Sequence, residues 1–173
     1  MKIKLAILDV DGVLTDGKKT YDNTGLCIYK TFCDKDFTAI KKLKALGISV
    51  CFLSGDENIN KAIAKNRNID FYLSKAKDKL SFLPDLLHKY NCSSKETLYI
   101  GDDIFDLSLL KNVKYSFCPA DAAEEVQDAC EFVLTKKAGD NVIMEMVEFL
   151  TSVNLIDSVT IDQIMKFEGN EKF

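Results

Sequence analysis

The sequence predicts an α/β fold, a parallel sheet with helices against both faces, and two observations carry that expectation. Short apolar, β-prone runs alternate with stretches of helical period along most of the 173 residues. That is the rhythm of βαβ units, whose right-handed crossovers build a parallel sheet. Polar and acidic groups then recur just beyond the ends of those runs, where open parallel sheets place their ligands.

The elements follow in order. Ile3–Val10 is a continuous apolar run and reads as a buried strand. Gly17–Phe32 breaks the rhythm and has the pattern of a β-hairpin, with Lys18–Tyr21 and Leu26–Thr31 flanking the turn Asp22-Asn23-Thr24-Gly25. Phe37, Ile40, Leu43 and Leu46 mark one face of a helix that Gly47 ends. Ile48–Leu53 is the second strand, followed by a short helix around Ile59–Lys65 and a strand at Asp70–Leu73. Leu80, Leu83, Leu87 and Tyr90 form a helical stripe expected to break or kink at Pro84. Thr97–Ile100, Tyr115–Cys118 and Phe132–Leu134 read as strands, separated by helices at Ile104–Leu110 and Ala122–Asp128. Val142, Ile143, Met146, Val147 and Leu150 face one way on the last clear helix. With no repeat or linker to divide it, the chain is expected to be one Rossmann-like domain over residues 1–153. The segment 154–173 is weakly periodic and is expected to form a partly disordered tail.

Composition narrows the function classes. Hydrophobic residues make up 47% and charged residues 29%, the balance of an ordinary globular protein. A net charge of −4 with scattered lysines leaves no basic patch for nucleic acid. No apolar run is long enough to span a bilayer, and the opening residues lack the pattern of a secretory signal, so a cytoplasmic location is expected. The six cysteines form no Cys-x-x-Cys pair and are expected to be buried, reduced thiols. A zinc site would need unusual ligands, because His88 is the single histidine and is expected at the surface.

Four polar groups fall at expected strand ends. Asp9 and Asp11 follow the first strand, Ser54 and Gly55 the second, and Gly101-Asp102-Asp103 the strand at Thr97–Ile100. Lys79 begins the helix after Leu73. Chemically the set suffices to move a phosphoryl group. Several carboxylates can hold a hard cation such as Mg²⁺, and one left free can attack phosphorus. A hydroxyl and an ammonium can carry the charge on the equatorial oxygens. A second acid two residues away can protonate a leaving alcohol and then activate water.

The pattern resembles the haloacid dehalogenase superfamily of phosphatases. Its four motifs match Asp9-x-Asp11-Gly12-Val13-x-Thr15, Ser54-Gly55, Lys79 and Gly101-Asp102-Asp103-x-x-Asp106. The resemblance covers about residues 3 to 150. It implies Asp9 as nucleophile, Asp11 as acid and base, and Ser54, Gly55 and Lys79 around the phosphoryl group. It implies magnesium on Asp9, the Asp11 carbonyl and Asp102, with Asp103 and Asp106 in support, Asp106 by orienting its loop. The stretches from Gly17 to Ser54 and from Ser54 to Lys79 are too short for a cap domain. An open site of this kind wants shielding from water, and the hairpin could supply it by pairing with neighbouring chains.

That arrangement is similar to the capless branch that dephosphorylates 3-deoxy-manno-octulosonate 8-phosphate and nonulosonate 9-phosphates. It implies a homotetramer acting on a small phosphorylated sugar acid, the octulosonate first and the nonulosonate as the alternative. The chain departs from that branch where relatives carry arginine, with Asp56, Asp140 and Met144 at those positions. A substrate carboxylate would then need another cation, such as Lys35 or Lys137. A non-enzymatic receiver-type domain gathers similar groups, but it would place its lysine last, whereas Lys79 precedes Asp102. A phosphotransferase would normally bring a water-excluding cap, and a protein phosphatase would need an exposed groove.

Overall fold

The computed structural model describes residues 2–75 and 77–168; the chain ending Gly169–Phe173, counted in the expected tail, lies outside them. Eight strands are present among the described residues: β1 (Leu5–Leu8), β2 (Thr20–Tyr21), β3 (Cys27–Tyr29), β4 (Ser49–Ser54), β5 (Asp70–Leu73), β6 (Thr97–Ile100), β7 (Tyr115–Cys118) and β8 (Phe132–Val133). The helices are α1 (Asp34–Ala45), α2 (Asn58–Asn66), α3 (Leu83–Lys89), α4 (Leu107–Leu110), α5 (Glu124–Ala129), α6 (Val142–Ser152) and α7 (Ile161–Glu168). Six strands form one sheet in the order β5-β4-β1-β6-β7-β8, and every pairing in it is parallel. β2 and β3 pair antiparallel as a separate hairpin.

Strand β1 is central because its four residues are apolar and can be buried on both faces. Leu5 and Ile7 point into one layer with Leu53, Tyr99, Leu86 and Leu109. Ala6 and Leu8 point into the other, with Phe52, Ile100, Ile40, Leu43 and Met146. Each layer is therefore read from one strand by its period of two. From β1 the chain winds out through β4 and β5, then returns to β6 on the opposite side of β1. This reversal is a topological switch point, and it opens a crevice beyond the carboxyl ends of β1 and β6.

Two expectations need correction, at Pro84 and at the cysteines. Pro84 neither breaks nor kinks a helix: a 3₁₀ turn at Lys79–Phe82 leads into α3, and Pro84 occupies the first helical turn, where its missing N–H costs nothing. Part of the tail is helical, since α7 follows Thr160, which caps it by exchanging hydrogen bonds with Gln163, and packs beside α1. Only Cys51 and Cys118 are fully buried; Cys27, Cys33, Cys92 and Cys130 are half-buried, and all six are free. His88 is exposed.

Candidate active site

The loops after β1, β4 and β6 line a cleft of about 1120 Å³, together with Ser74, Lys75, Lys77, Asp78 and Lys79. Asp9 is the first residue beyond β1 and is buried, its backbone N–H held by the Ile100 carbonyl at 3.1 Å. Its Oδ1 accepts from the Val10 N–H at 2.7 Å, and its Oδ2 lies 2.8 Å from Lys79 Nζ. Lys79 also donates to Asp106 Oδ1, so one buried ammonium joins two buried carboxylates.

Asp106 is fully engaged. Tyr99 donates to it at 2.7 Å, and the backbone N–H groups of Asp102 and Asp103 donate to its other oxygen at 2.9 and 3.1 Å. It thereby shapes the loop that carries Asp102. Asp103 is exposed and caps the 3₁₀ turn Ile104–Asp106 by accepting from the Ile104 N–H. Asp102 differs from both, because its Oδ1 is buried with no hydrogen-bond partner.

Carboxylate oxygens of Asp9, Asp102 and Asp106 lie within 4.8 Å of one another. Burial pushes the Asp9 carboxyl up to about 7, opposed by Lys79 and reinforced by Asp106. Burial, then Asp9 and Asp106, push Asp102 up to about 8. Burial pulls the Lys79 ammonium down, but Asp9 and Asp106 outweigh it and its pKa is raised. An unpartnered buried oxygen beside two more carboxylates suits a hard divalent cation, which such oxygens bind and whose charge would relieve their repulsion. Gly12 makes room for this approach. It has φ +80°, and a Cβ there would stand 1.9 Å from Asp102 Oδ2.

A second group of side chains lies beside the first. Ser54 is buried, and its Oγ accepts from Asn60 Nδ2 at 2.9 Å and from the Asp56 N–H at 3.3 Å. With both lone pairs engaged, its own O–H is left to donate to a ligand. Asn60 Nδ2 also donates to Asp11 Oδ2 at 3.0 Å. Asp11 and Asp56 are joined by Lys30 and Lys19, two hairpin lysines absent from the sequence-based site. Gly55 and Asp56 line the cleft, as do Lys19, Lys75 and Lys77, whereas Lys35 and Lys137 are exposed away from its lining. Only contacts across the fold identify Lys19, Lys30 and Asn60, since none stands in a motif.

The profile of the haloacid dehalogenase-like hydrolases matches residues 56–146. A 3-deoxy-D-manno-octulosonate 8-phosphate phosphatase of Haemophilus influenzae is 36% identical over 153 residues, which cover 86% of this chain and 82% of that one. The chain belongs to the haloacid dehalogenase-like hydrolase family. Among solved structures of the family, the cobalt-bound octulosonate 8-phosphate phosphatase of Haemophilus influenzae superposes with a TM-score of 0.82 at 35% identity, covering 87% of this chain and 88% of that one. The enzyme of Moraxella catarrhalis, solved with magnesium, phosphate and the octulosonate sugar, superposes with a TM-score of 0.81 at 25% identity and covers 97% and 92%. The six-stranded sheet and separate hairpin thus belong to a hydrolase fold whose relatives hold divalent metal.

Proposed function

We propose that this hydrolase is a magnesium-dependent phosphomonoesterase that passes through an aspartyl-phosphate, and that it acts on a phosphorylated sugar acid. The observation that carries the proposal is the buried Asp9 carboxylate. It stands at the end of the central strand between the Lys79 ammonium and the unpartnered oxygen of Asp102. Asp9 and Asp102, with the Asp11 carbonyl, would hold magnesium, which when bound offsets the charge on the phosphoryl oxygens. Lys79 and the free Ser54 O–H carry phosphoryl oxygens of their own.

Asp9 forms its bond to phosphorus as the bond from phosphorus to the ester oxygen breaks, and that oxygen takes its proton from Asp11. Water then bonds to phosphorus and gives its proton to Asp11. The bond to Asp9 breaks, and phosphate leaves.

The first substrate expected is 3-deoxy-D-manno-octulosonate 8-phosphate, which the relatives named above hydrolyse by their names. Repulsion between its carboxylate and Asp56 is offset, because Asp56 already pairs with Lys19 at 3.0 Å and Lys30 at 2.9 Å. An open cleft wants a cover. The hairpin exposes Tyr21, Leu26, Ile28 and Tyr29, apolar surface suited to a second copy and consistent with a homotetramer. Six free cysteines agree with a reducing, cytoplasmic setting.

Phosphate release tests the reading. Wild type with magnesium should turn over the octulosonate phosphate with a higher kcat/KM than a nonulosonate 9-phosphate or a plain hexose phosphate. Asp9→Asn should stay folded and lose turnover. Activity in pure Asp9→Asn protein refutes the mechanism, and a hexose phosphate turned over best refutes the sugar acid.

A further inference from the structure

Lys30 follows β3 directly, and its side chain has no exposed surface. An ammonium withdrawn from water costs several kcal/mol unless it is matched by charge and hydrogen bonds. It is matched on every side. Nζ lies 2.7 Å from Asp11 Oδ1, and it donates to Asp11 Oδ2 at 3.0 Å, Asp56 Oδ2 at 2.9 Å and Asn60 Oδ1 at 2.8 Å. Asn60 is buried too, and its amide nitrogen donates to both Asp11 Oδ2 and Ser54 Oγ. The two lysines, Lys19 and Lys30, face the two acids, Asp11 and Asp56, so the cluster is neutral once Asp11 has given up its proton.

Asp11 Oδ2 is therefore held by hydrogen bonds from the hairpin and from α2, and Oδ1, which has no hydrogen-bond partner, lies at ion-pair distance from Lys30, while Asp11 itself sits on the loop after β1. A carboxylate at a loop, about one-fifth exposed, would otherwise rotate into solvent. The same amide that fixes Asp11 also holds Ser54, which sets the acid relative to the phosphoryl site.

We propose that Lys30, with Asn60, is the positioning residue for the Asp11 carboxylate, so that the hairpin supplies part of the catalytic geometry from within the same chain. This rests on reading Asp11 as the acid and base. A proton-transfer group displaced by about 1 Å loses on the order of 100-fold in rate.

The test is leaving-group dependence in Lys30→Met, with Asp11→Asn as the reference. On the sugar phosphate that wild type turns over best, whose alkoxide leaving group needs a proton, kcat/KM should fall about 100-fold. On 4-nitrophenyl phosphate, whose phenolate leaves unaided, kcat/KM should fall less than about tenfold. Rapid mixing with 4-nitrophenyl phosphate should then release one nitrophenolate per active site before slow turnover, because the aspartyl-phosphate waits for its base. A purely structural lysine would lower both substrates alike and give no burst, and that result overturns the proposal. So does an unchanged kcat/KM on the sugar phosphate. Should Lys30→Met not fold, Lys30→Met/Asp56→Asn keeps the cluster neutral while still releasing Asp11, and it must give the same split and burst. Full activity in Asp11→Asn would instead remove the reading of Asp11 itself; loss there with an intact Lys30→Met removes only the positioning role.

Discussion

Magnesium added to the metal-free protein should expel protons, and the number follows from two carboxyls. With Asp9 raised to about 7 and Asp102 to about 8, at pH 7 the first is about half protonated and the second about nine-tenths protonated. Together they hold about 1.4 protons, best regarded as a property of the pair. A divalent ion coordinated by both must displace them, so binding at pH 7 should release about 1.4 protons and at pH 9 only about 0.1. Calorimetric titration in two buffers of different ionisation enthalpy reads this number directly. Both carboxyls are raised above their unfolded values. Their contribution to the metal-free fold is therefore complete below about pH 4 and is lost as pH rises through about 7 to 8. The gain in Tm on adding magnesium should accordingly grow from pH 6 to pH 9. Release below about 0.3 protons at pH 7, or release that does not decline toward pH 9, refutes the account of this cluster.

Three further perturbations test other parts of the molecule. Gly12→Ala puts a Cβ 1.9 Å from Asp102 Oδ2; it should keep the wild-type circular dichroism but weaken magnesium binding by at least about tenfold, and wild-type affinity by calorimetry would contradict the close approach. Asp36 is buried and accepts the Ile143 and Met144 N–H groups at 2.9 and 3.0 Å, so Asp36→Ala should cost about 1–2 kcal/mol in urea unfolding. Asp36→Asn keeps an acceptor and should cost less; equal losses would refute the capping role. Ile28→Ser with Tyr29→Ser removes exposed apolar surface from the hairpin, and light scattering should show a multichain wild type and a smaller variant. A wild-type monomer at micromolar concentration would refute assembly through this face.

Much of the fold was legible because each strand carries its own signal. Leu5–Leu8 and Leu98–Ile100 are apolar or aromatic at consecutive positions, which only burial on both faces explains, and their acidic followers mark the ends that meet. Asp9, Ser54, Lys79 and Asp102 were legible for the same reason, since each lies within a few residues of such an end. Lys30 and Asn60 were not. Lys30 lies in a polar-looking hairpin, Asn60 at the start of an amphipathic helix, and their meeting with Asp11 depends on how the hairpin folds over the loop. Lys19 follows Lys18, a neighbour of like charge, and finds Asp56 only in space. In α7, Ile161, Ile164 and Met165 fall at helical spacing, but eight residues are too few to separate that period from chance.

The sheet order has a consequence for how the chain is made. β1 leaves the ribosome first yet ends in the middle of the sheet, between β4 and β6. Once Leu73 has emerged, β1, β4 and β5 can pair, but the other edge of β1 stays open until Thr97–Ile100 follows. The Asp9 N–H has no backbone carbonyl to hold it before Ile100 arrives. During synthesis the half-built sheet therefore carries an open apolar edge at its future centre, the kind of edge that recruits other chains. Ribosome-bound lengths that stop between Leu73 and Ile100 are the stage at which a chaperone would matter most to this fold.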